Sequence, residues 1–184
     1  WAGISRTNWI LTNIDKSPKI SDAKKTQYKG EAHFLRGLYY FNLVRLFGDV
    51  PWIDKQQTAS DDLQVSRTSK DIVYQHIIDD FSDAASMLPA VYENTTDIGR
   101  ATKGAAFGLL AKVYLTLKRY NETLVAIDSV MNLGVYSLNR KYEWNFSDLR
   151  ENGPESLFEV QYEKDVTAYS EFDILGQGGW HHEY

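Results

Sequence analysis

The sequence predicts an all-α (mostly) fold of tandem helical hairpins, with a small extended or β element near the C-terminal end. The stretch from Glu31 to Phe47 is rich in helix formers and apolar almost all the way round, as expected of a helix buried inside a domain. Residues 69–88 carry apolar side chains at helical spacing. The segments 101–118 and 122–132 are joined by a short turn, which favours two antiparallel helices.

Start and stop signals delimit the first two helices. Residues 2–15 form an incomplete apolar stripe that ends before Pro18, because proline cannot continue a helix. Ser21 or Asp22 can cap the second helix. This helix runs through the apolar stretch and stops at Gly48, a residue type favoured just past a helix end.

Three further helices are predicted after a polar connector at residues 54–68. Ser69 caps the third helix and Pro89 ends it. The fourth helix covers residues 101–118, where many small side chains allow another helix to approach closely, and the fifth covers 122–132. In the fifth helix we expect four apolar residues to face inward: Leu124, Ile127, Val130 and Met131.

Beyond Gly134 the sequence changes character. Residues 136–138 are predicted to be extended, and Leu157 to Tyr162 alternates apolar and polar side chains, which is typical of a strand. Residues 176–184 are rich in glycine and aromatic residues and predict a loop. We therefore expect two regions, a helical-repeat scaffold over residues 1–135 and the start of a loop-rich portion over 136–184.

Composition excludes several classes of function. The 184 residues contain no cysteine, so disulfides, thiolate catalysis and cysteine-based metal sites are ruled out. The net charge is −5 with no run of Lys or Arg, which argues against binding nucleic acid through its phosphates. The sequence contains no stretch of 18 apolar residues, so no membrane span is predicted. The sequence opens almost directly on a helix and closes on a loop, so we expect it to be trimmed at both ends.

Two narrow polar seams interrupt the apolar second helix. Stepping 100° per residue gives the members of the two seams, which are Glu31, Asn42 and Arg45 on one and His33, Arg36 and Tyr40 on the other. Burial of an unpaired charge is very costly, so we expect Arg36 and Arg45 to be ion-paired. Glu31 and Asp49 are the acids close to them in sequence, and such pairs would hold neighbouring helices in register.

The fourth and fifth helices have the spacing of a tetratricopeptide hairpin. Its pattern positions are filled by Phe107, Leu110, Ala111, Tyr114, Thr123 and Ile127. In the second helix, Leu35 and Tyr39 repeat part of that spacing, although Arg36 stands where a small residue is expected. The repeat spacing predicts two helical hairpins, the first with a long insertion between its helices.

Longer runs resemble the SusD/RagB family. The run GEAHFLRGLYYFNLVRLFGDVPWI (30–53) is similar to that family's signature helix. VSRTSKDIVYQHIIDDFSDAASMLP (65–89), the hairpin over 100–138 and SLFEVQY (156–162) resemble its next pieces in the same order. The resemblance covers about residues 2–165.

The resemblance implies an internal fragment of an α-helical outer-membrane lipoprotein of Bacteroidetes-type bacteria. Such a protein would bind polysaccharide or oligosaccharide on the extracellular face, without catalysis or a cofactor. It would pass its ligand to a TonB-dependent outer-membrane transporter, and its lipid anchor would lie outside this fragment. The alternative is a helical-repeat adaptor that binds another protein and no sugar.

Sugar binding requires exposed aromatic rings beside hydrogen-bonding groups. Trp180 and Tyr184, in the glycine-rich loop, and Trp52, just past the helix stop, are therefore the candidate glycan contacts. Chain ends also lose order readily, and Trp52 has the alternative role of plugging the core below its loop.

Other polar clusters have simpler interpretations. His181-His182-Glu183 invites a metal site, but adjacent side chains on an extended loop point in opposite directions, so we expect none. The acidic pairs Asp61-Asp62 and Asp79-Asp80 lack the enclosed geometry of a glycosidase and are interpreted as solvated faces. His33 and His76 are expected to be satisfied surface or seam residues.

Overall fold

The computed structural model describes residues 1–58, 60–61, 64–147 and 150–161. These residues contain five α-helices and no strand, which confirms the all-α prediction. The helices are α1 (Ala2–Asn13), α2 (Asp22–Phe47), α3 (Lys70–Met87), α4 (Lys103–Thr116) and α5 (Tyr120–Met131). Short 3-10 turns lie at Ile14–Lys16, Thr95–Asp97 and Tyr142–Phe146.

Local chemistry explains where α2 begins and ends. The Ser21 hydroxyl accepts a hydrogen bond from the Lys24 N–H at 3.4 Å, which satisfies one of the free N–H groups of the first turn. At the other end, Gly48 has φ +69°, a conformation that glycine adopts without strain, and its N–H bonds to the Val44 carbonyl. Both predicted boundary signals are confirmed.

The start of α3 depends on a residue beyond the end of α2. Ser69 occupies the N-cap position, but its side chain makes no cap hydrogen bond. Instead the Asp49 carboxylate accepts a hydrogen bond from the Lys70 N–H at 2.8 Å, and a negative group is favourable at a helix N-terminus. An isolated β-bridge between Val50 and Thr68 closes the base of the connector.

The helices pack as a linear array, each against its neighbours in sequence. The contact between α2 and α3 is the most extensive, and it is formed around Phe34, Phe41 and Phe81, all nearly inaccessible. Burying one such side chain contributes roughly 1.5–3 kcal/mol. Gly37 permits close approach, since a Cβ there would lie 3.1 Å from the Phe81 ring.

Helix α5 faces the array differently from the prediction. Val130 is buried as expected, but Leu124, Ile127 and Met131 are exposed. The side chains that pack against α4 are instead the smaller Thr123 and Ala126, together with Val130. Helices of a repeat array carry one face for their own hairpin partner and another for a further repeat, so an apolar stripe alone does not identify the inward face.

The predicted strand over Leu157 to Tyr162 is wrong for residues 157–161, and Tyr162 lies outside the described residues. An alternating pattern forms a strand only beside another strand, and the described part of the chain offers no such partner there. The apolar side chains pack on helices instead. The centroids of the Phe158 and Phe34 rings lie 4.9 Å apart, and Leu157 lies against Gly108 of α4.

Candidate functional site

The connector after α2 is held by a buried polar group, here called the Arg36 cluster, that comprises Arg36, Asp80, Asn8 and His33. Arg36 donates two hydrogen bonds to Asp80, from Nε to Oδ2 at 2.9 Å and from Nη2 to Oδ1 at 2.7 Å. The Nη1 group donates to the Asn8 side chain and to the Asp54 carbonyl. This planar two-point contact with a carboxylate is the geometry in which arginine binds most strongly.

Asp80 is the residue that sequence reasoning missed. The sequence predicts that Asp79 and Asp80 belong to a solvated face, but Asp80 is 2% exposed, whereas Asp79 is exposed. The predicted partners of Arg36 are also wrong, since neither Glu31 nor Asp49 contacts it. His33 completes the group, with Nδ1 placed 2.8 Å from Asp80 Oδ1, as expected for a satisfied seam residue.

Two more side chains tie the connector to the helices. Asn8 of α1 donates to the carbonyls of Ile53 and Lys55 at 2.7 and 3.3 Å. The Tyr40 hydroxyl accepts from the Ile53 N–H at 2.7 Å. Burial raises the pKa of Tyr40 from 10.0 to about 12, so this hydroxyl is protonated at neutral pH. Residues 53–55 are therefore fixed by α1 and α2 together.

Trp52 lies at the same place, half-buried rather than free. Its ring stacks on His76 of α3, with centroids 4.4 Å apart and planes at 13°. Its centroid is 4.2 Å from that of Tyr40, and the Arg36 guanidinium lies 5.4 Å from it. Protein groups thus contact the ring where a sugar would stack, and the prediction that Trp52 binds glycan stays a prediction.

Glu31 and Arg45, both assigned to the other seam, have separate environments. Arg100, in the connector between α3 and α4, donates from Nη1 to both carboxylate oxygens of Glu31 at 2.7 and 2.9 Å. The Tyr92 hydroxyl donates a hydrogen bond to Glu31. The pKa of Tyr92 is raised, and burial is the main cause. Arg45 does not lie in a buried seam as expected. It is exposed, and its guanidinium lies 5.0 Å from the centroid of the Phe41 ring.

A cleft of about 290 Å³ opens beside Arg100. It lies between the α3–α4 connector and residues 152–159, and Tyr92, Tyr136 and Phe158 contribute aromatic groups to its walls. No sequence motif predicts this cleft, because its two sides are far apart in the chain.

The remaining sequence-predicted residues cannot be placed. Trp180 and Tyr184, and with them His181, His182 and Glu183, lie outside the described residues. Within the described part of the chain, no three His, Cys, Asp or Glu side chains converge as metal ligands. None of the described helices combines the length and apolar character needed to cross a lipid bilayer.

Comparison with known proteins finds consistent relatives. A SusD-like family model, described as starch-binding and associating with the outer membrane, matches residues 1–115. SusD-like protein P25 of Formosa agariphila is 27% identical over 176 residues, which is 96% of this chain and 33% of that protein. The starch-binding protein SusD of Bacteroides thetaiotaomicron is 27% identical over 127 residues, or 62% of this chain and 22% of that protein.

Solved structures agree in fold. A SusD-like protein from Bacteroides fragilis has a TM-score of 0.81 and 34% identity, covering 87% of this chain and 32% of that one. A laminarin-binding SusD-like protein has a TM-score of 0.79 and 30% identity, covering 86% and 35%. This chain spans about a third of the length of these relatives. The match of most of its helical array to the family model, in a fold shared with these structures, shows that the chain belongs to the SusD-like family.

Proposed function

We propose that this chain is part of a non-enzymatic protein that binds glycans at the outer cell surface and delivers them to a TonB-dependent outer-membrane transporter. The observation that carries the proposal is the match of residues 1–115 to a starch-binding, outer-membrane-associated family. The names of two relatives, one starch-binding and one laminarin-binding, support a glycan as ligand.

The proposal gives the two regions different roles. Residues 1–135 act as the scaffold, in which the Arg36 cluster and the Glu31–Arg100 pair hold helices and connectors together. Residues 136–184 begin the ligand-binding portion. Trp180 and Tyr184 are proposed to stack on pyranose rings. For Trp52, packing against Tyr40 and His76 supports the alternative role, a plug of the core below its loop.

Cell-surface uptake implies two further features of the whole protein. A lipid anchor outside this chain would attach it to the outer membrane, on the extracellular face. The transporter would be its protein partner, and the exposed apolar side chains of α4 and α5 offer surface of the kind that protein interfaces use. No catalytic group is required, because the ligand is handed on unchanged.

Affinity electrophoresis of the full-length protein in gels containing single polysaccharides tests the proposal. Retardation by at least one glycan is expected. A protein that is retarded by none, yet co-purifies with a transporter, would instead be an adaptor without sugar binding. Co-purification from membranes of the native organism tests the transporter partner separately.

A further inference from the structure

The turn Tyr142–Phe146 presents aromatic rings to solvent. Tyr142 is 79% exposed and Phe146 is 74% exposed. The two rings contact each other edge to face, with centroids 5.2 Å apart and planes at 62°. Adjacent exposed rings form a contiguous apolar patch, and such a patch rimmed by polar groups is typical of a binding surface.

A polar recess adjoins this turn. Its volume is about 220 Å³, and its walls include the side chains of Asn139, Asn145, Arg150, Glu155, Ser156 and Glu159. Asn145 belongs both to the turn and to the recess, so the turn that carries the rings adjoins the polar groups and forms one surface region with them. We call this surface the 142–159 patch.

Hydrogen bonds organise the recess before any ligand arrives. Glu155 Oε2 accepts from the Asn139 N–H and from the Asn145 amide, each at 3.0 Å. These bonds lower the pKa of Glu155, and the Asn139 N–H contributes more to this than the Asn145 amide does. The carboxylate is therefore ionised at neutral pH. Glu159 accepts from the Asn152 N–H at 3.0 Å.

A cation–π contact orients Arg150, the one cation among the described residues that line the recess. The Arg150 guanidinium lies over the Trp144 ring, 3.7 Å from its centroid. Such stacking orients the guanidinium and leaves its edge N–H groups available for hydrogen bonds in the ring plane. Trp144 thus joins the aromatic turn to Arg150 of the recess.

The chemistry of the 142–159 patch selects a class of ligand. Amides and a guanidinium supply donors, while carboxylates and a hydroxyl supply acceptors, and sugar hydroxyls both donate and accept. Aromatic faces suit the C–H surface of a pyranose. Among the described residues that line the recess, the two carboxylates of Glu155 and Glu159 outnumber the one guanidinium of Arg150, so the recess disfavours an anionic ligand through like-charge repulsion.

We propose that the 142–159 patch binds one sugar unit of a neutral glycan, with the rings of Tyr142 and Phe146 as its platform and the recess as its hydrogen-bonding wall. This inference rests on the proposed function, of which it names the ligand class and one contact surface. An apolar protein segment seated on the rings is the competing occupant, and the experiment separates the two.

The test compares the full-length protein with its Tyr142→Ala/Phe146→Ala double variant. The probes are laminarin and starch as neutral glycans, and alginate and polygalacturonate as anionic ones. We expect the wild type to bind a neutral probe and the double variant to bind it about tenfold more weakly, as for loss of central contact residues. Thermal melting should be unchanged, because both rings are exposed.

Matched variants complete the design. Tyr142→Phe keeps the ring and should retain most of the binding. Tyr120→Ala removes a tyrosine of similar exposure from α5, outside the patch, and should leave the affinity unchanged. A lower melting temperature of the double variant would show that the rest of the protein covers the rings, and this would overturn the inference.

Other outcomes are equally decisive. Equal affinity of the double variant and the wild type would overturn the inference while leaving the proposed function intact. Binding of alginate or polygalacturonate in preference to both neutral probes would overturn the charge argument. A wild type that binds no polysaccharide would refute the proposed function and this inference together.

Discussion

Replacing Arg36 with methionine tests whether the Arg36 cluster stabilises the fold. The substitution keeps a long, unbranched side chain but removes the guanidinium from a site where the Arg36 side chain is 9% exposed. Asp80 then loses its main partner, in a site where its side chain is 3% exposed. The Asp54 carbonyl and the Asn8 side chain each lose one hydrogen bond as well.

The size of the effect follows from those contacts. A hydrogen bond to a charged group contributes about 1.5–3 kcal/mol, and Arg36 makes two to Asp80. Breaking a buried ion pair from one side costs about 3–5 kcal/mol. We therefore expect Arg36→Met to lower the free energy of unfolding by about 3–5 kcal/mol.

Urea denaturation of the full-length protein, followed by circular dichroism, measures this change. Arg45→Met is the matched control, since Arg45 lies exposed on the same helix, and we expect a change within about 0.5 kcal/mol. A double variant, Arg36→Met with Asp80→Leu, should recover part of the loss because no buried charge is left unpaired. Equal stability of Arg36→Met and wild type would refute the reasoning.

Three further predictions concern single groups. Tyr40→Phe should cost about 1–2 kcal/mol because the Ile53 N–H loses its acceptor, and unchanged hydrogen exchange at that amide would contradict this. The pKa of Tyr40 is raised above 10.0 to about 12, so its contribution to stability is complete below pH 10 and lost as the pH rises through 12. Denaturation at pH values between 10.0 and about 12 should show this loss of stability. The loss should be smaller in the Tyr40→Phe variant, which has no hydroxyl to ionise. Thr102→Ala should cost about 1 kcal/mol, since Thr102 caps α4 by accepting from the Ala105 N–H. Thr102→Ser keeps the capping hydroxyl and should be about as stable as the wild type. A loss as large as that of Thr102→Ala would argue against the cap.

Signals that act within a few residues predicted the helices well. Ser21 and Gly48 marked the ends of α2, because a cap is a contact between near neighbours in sequence. The position of Asp49 was predictable only in part. It is close to Arg45 in sequence, but it caps α3, which begins after the whole connector.

Long-range pairing was not predictable from proximity in sequence. Arg36 finds Asp80 on the next helix, and Glu31 finds Arg100 beyond it. One signal for Asp80 was present in the sequence. It shares a helix face with Val73, Ile77 and Ala84, which are all buried, so an acid interrupts an apolar stripe. A buried charge on one helix and an acid on the stripe of its neighbour predict each other.

Faces were harder to assign than helices. The apolar residues of α5 fall on two sides, and periodicity cannot tell which side meets α4. No sequence motif predicts the 142–159 patch. Its polar groups come together through a turn and through hydrogen bonds from Asn139 and Asn145 to Glu155, which are not neighbours in sequence. The sequence-based candidates, Trp52, Trp180 and Tyr184, therefore rest on aromatic residues in predicted loops and on the family resemblance.

The Arg36 cluster also bears on the kinetics of folding. Its hydrogen bonds join residues 18, 28 and 44 positions apart, so each requires a loop to close before it can form. Contacts of this kind are expected to form after the main barrier, once α1, α2 and α3 are already together. Their loss then accelerates unfolding more than it slows folding. The cluster would determine how long the assembled array persists, and hardly how quickly it is reached.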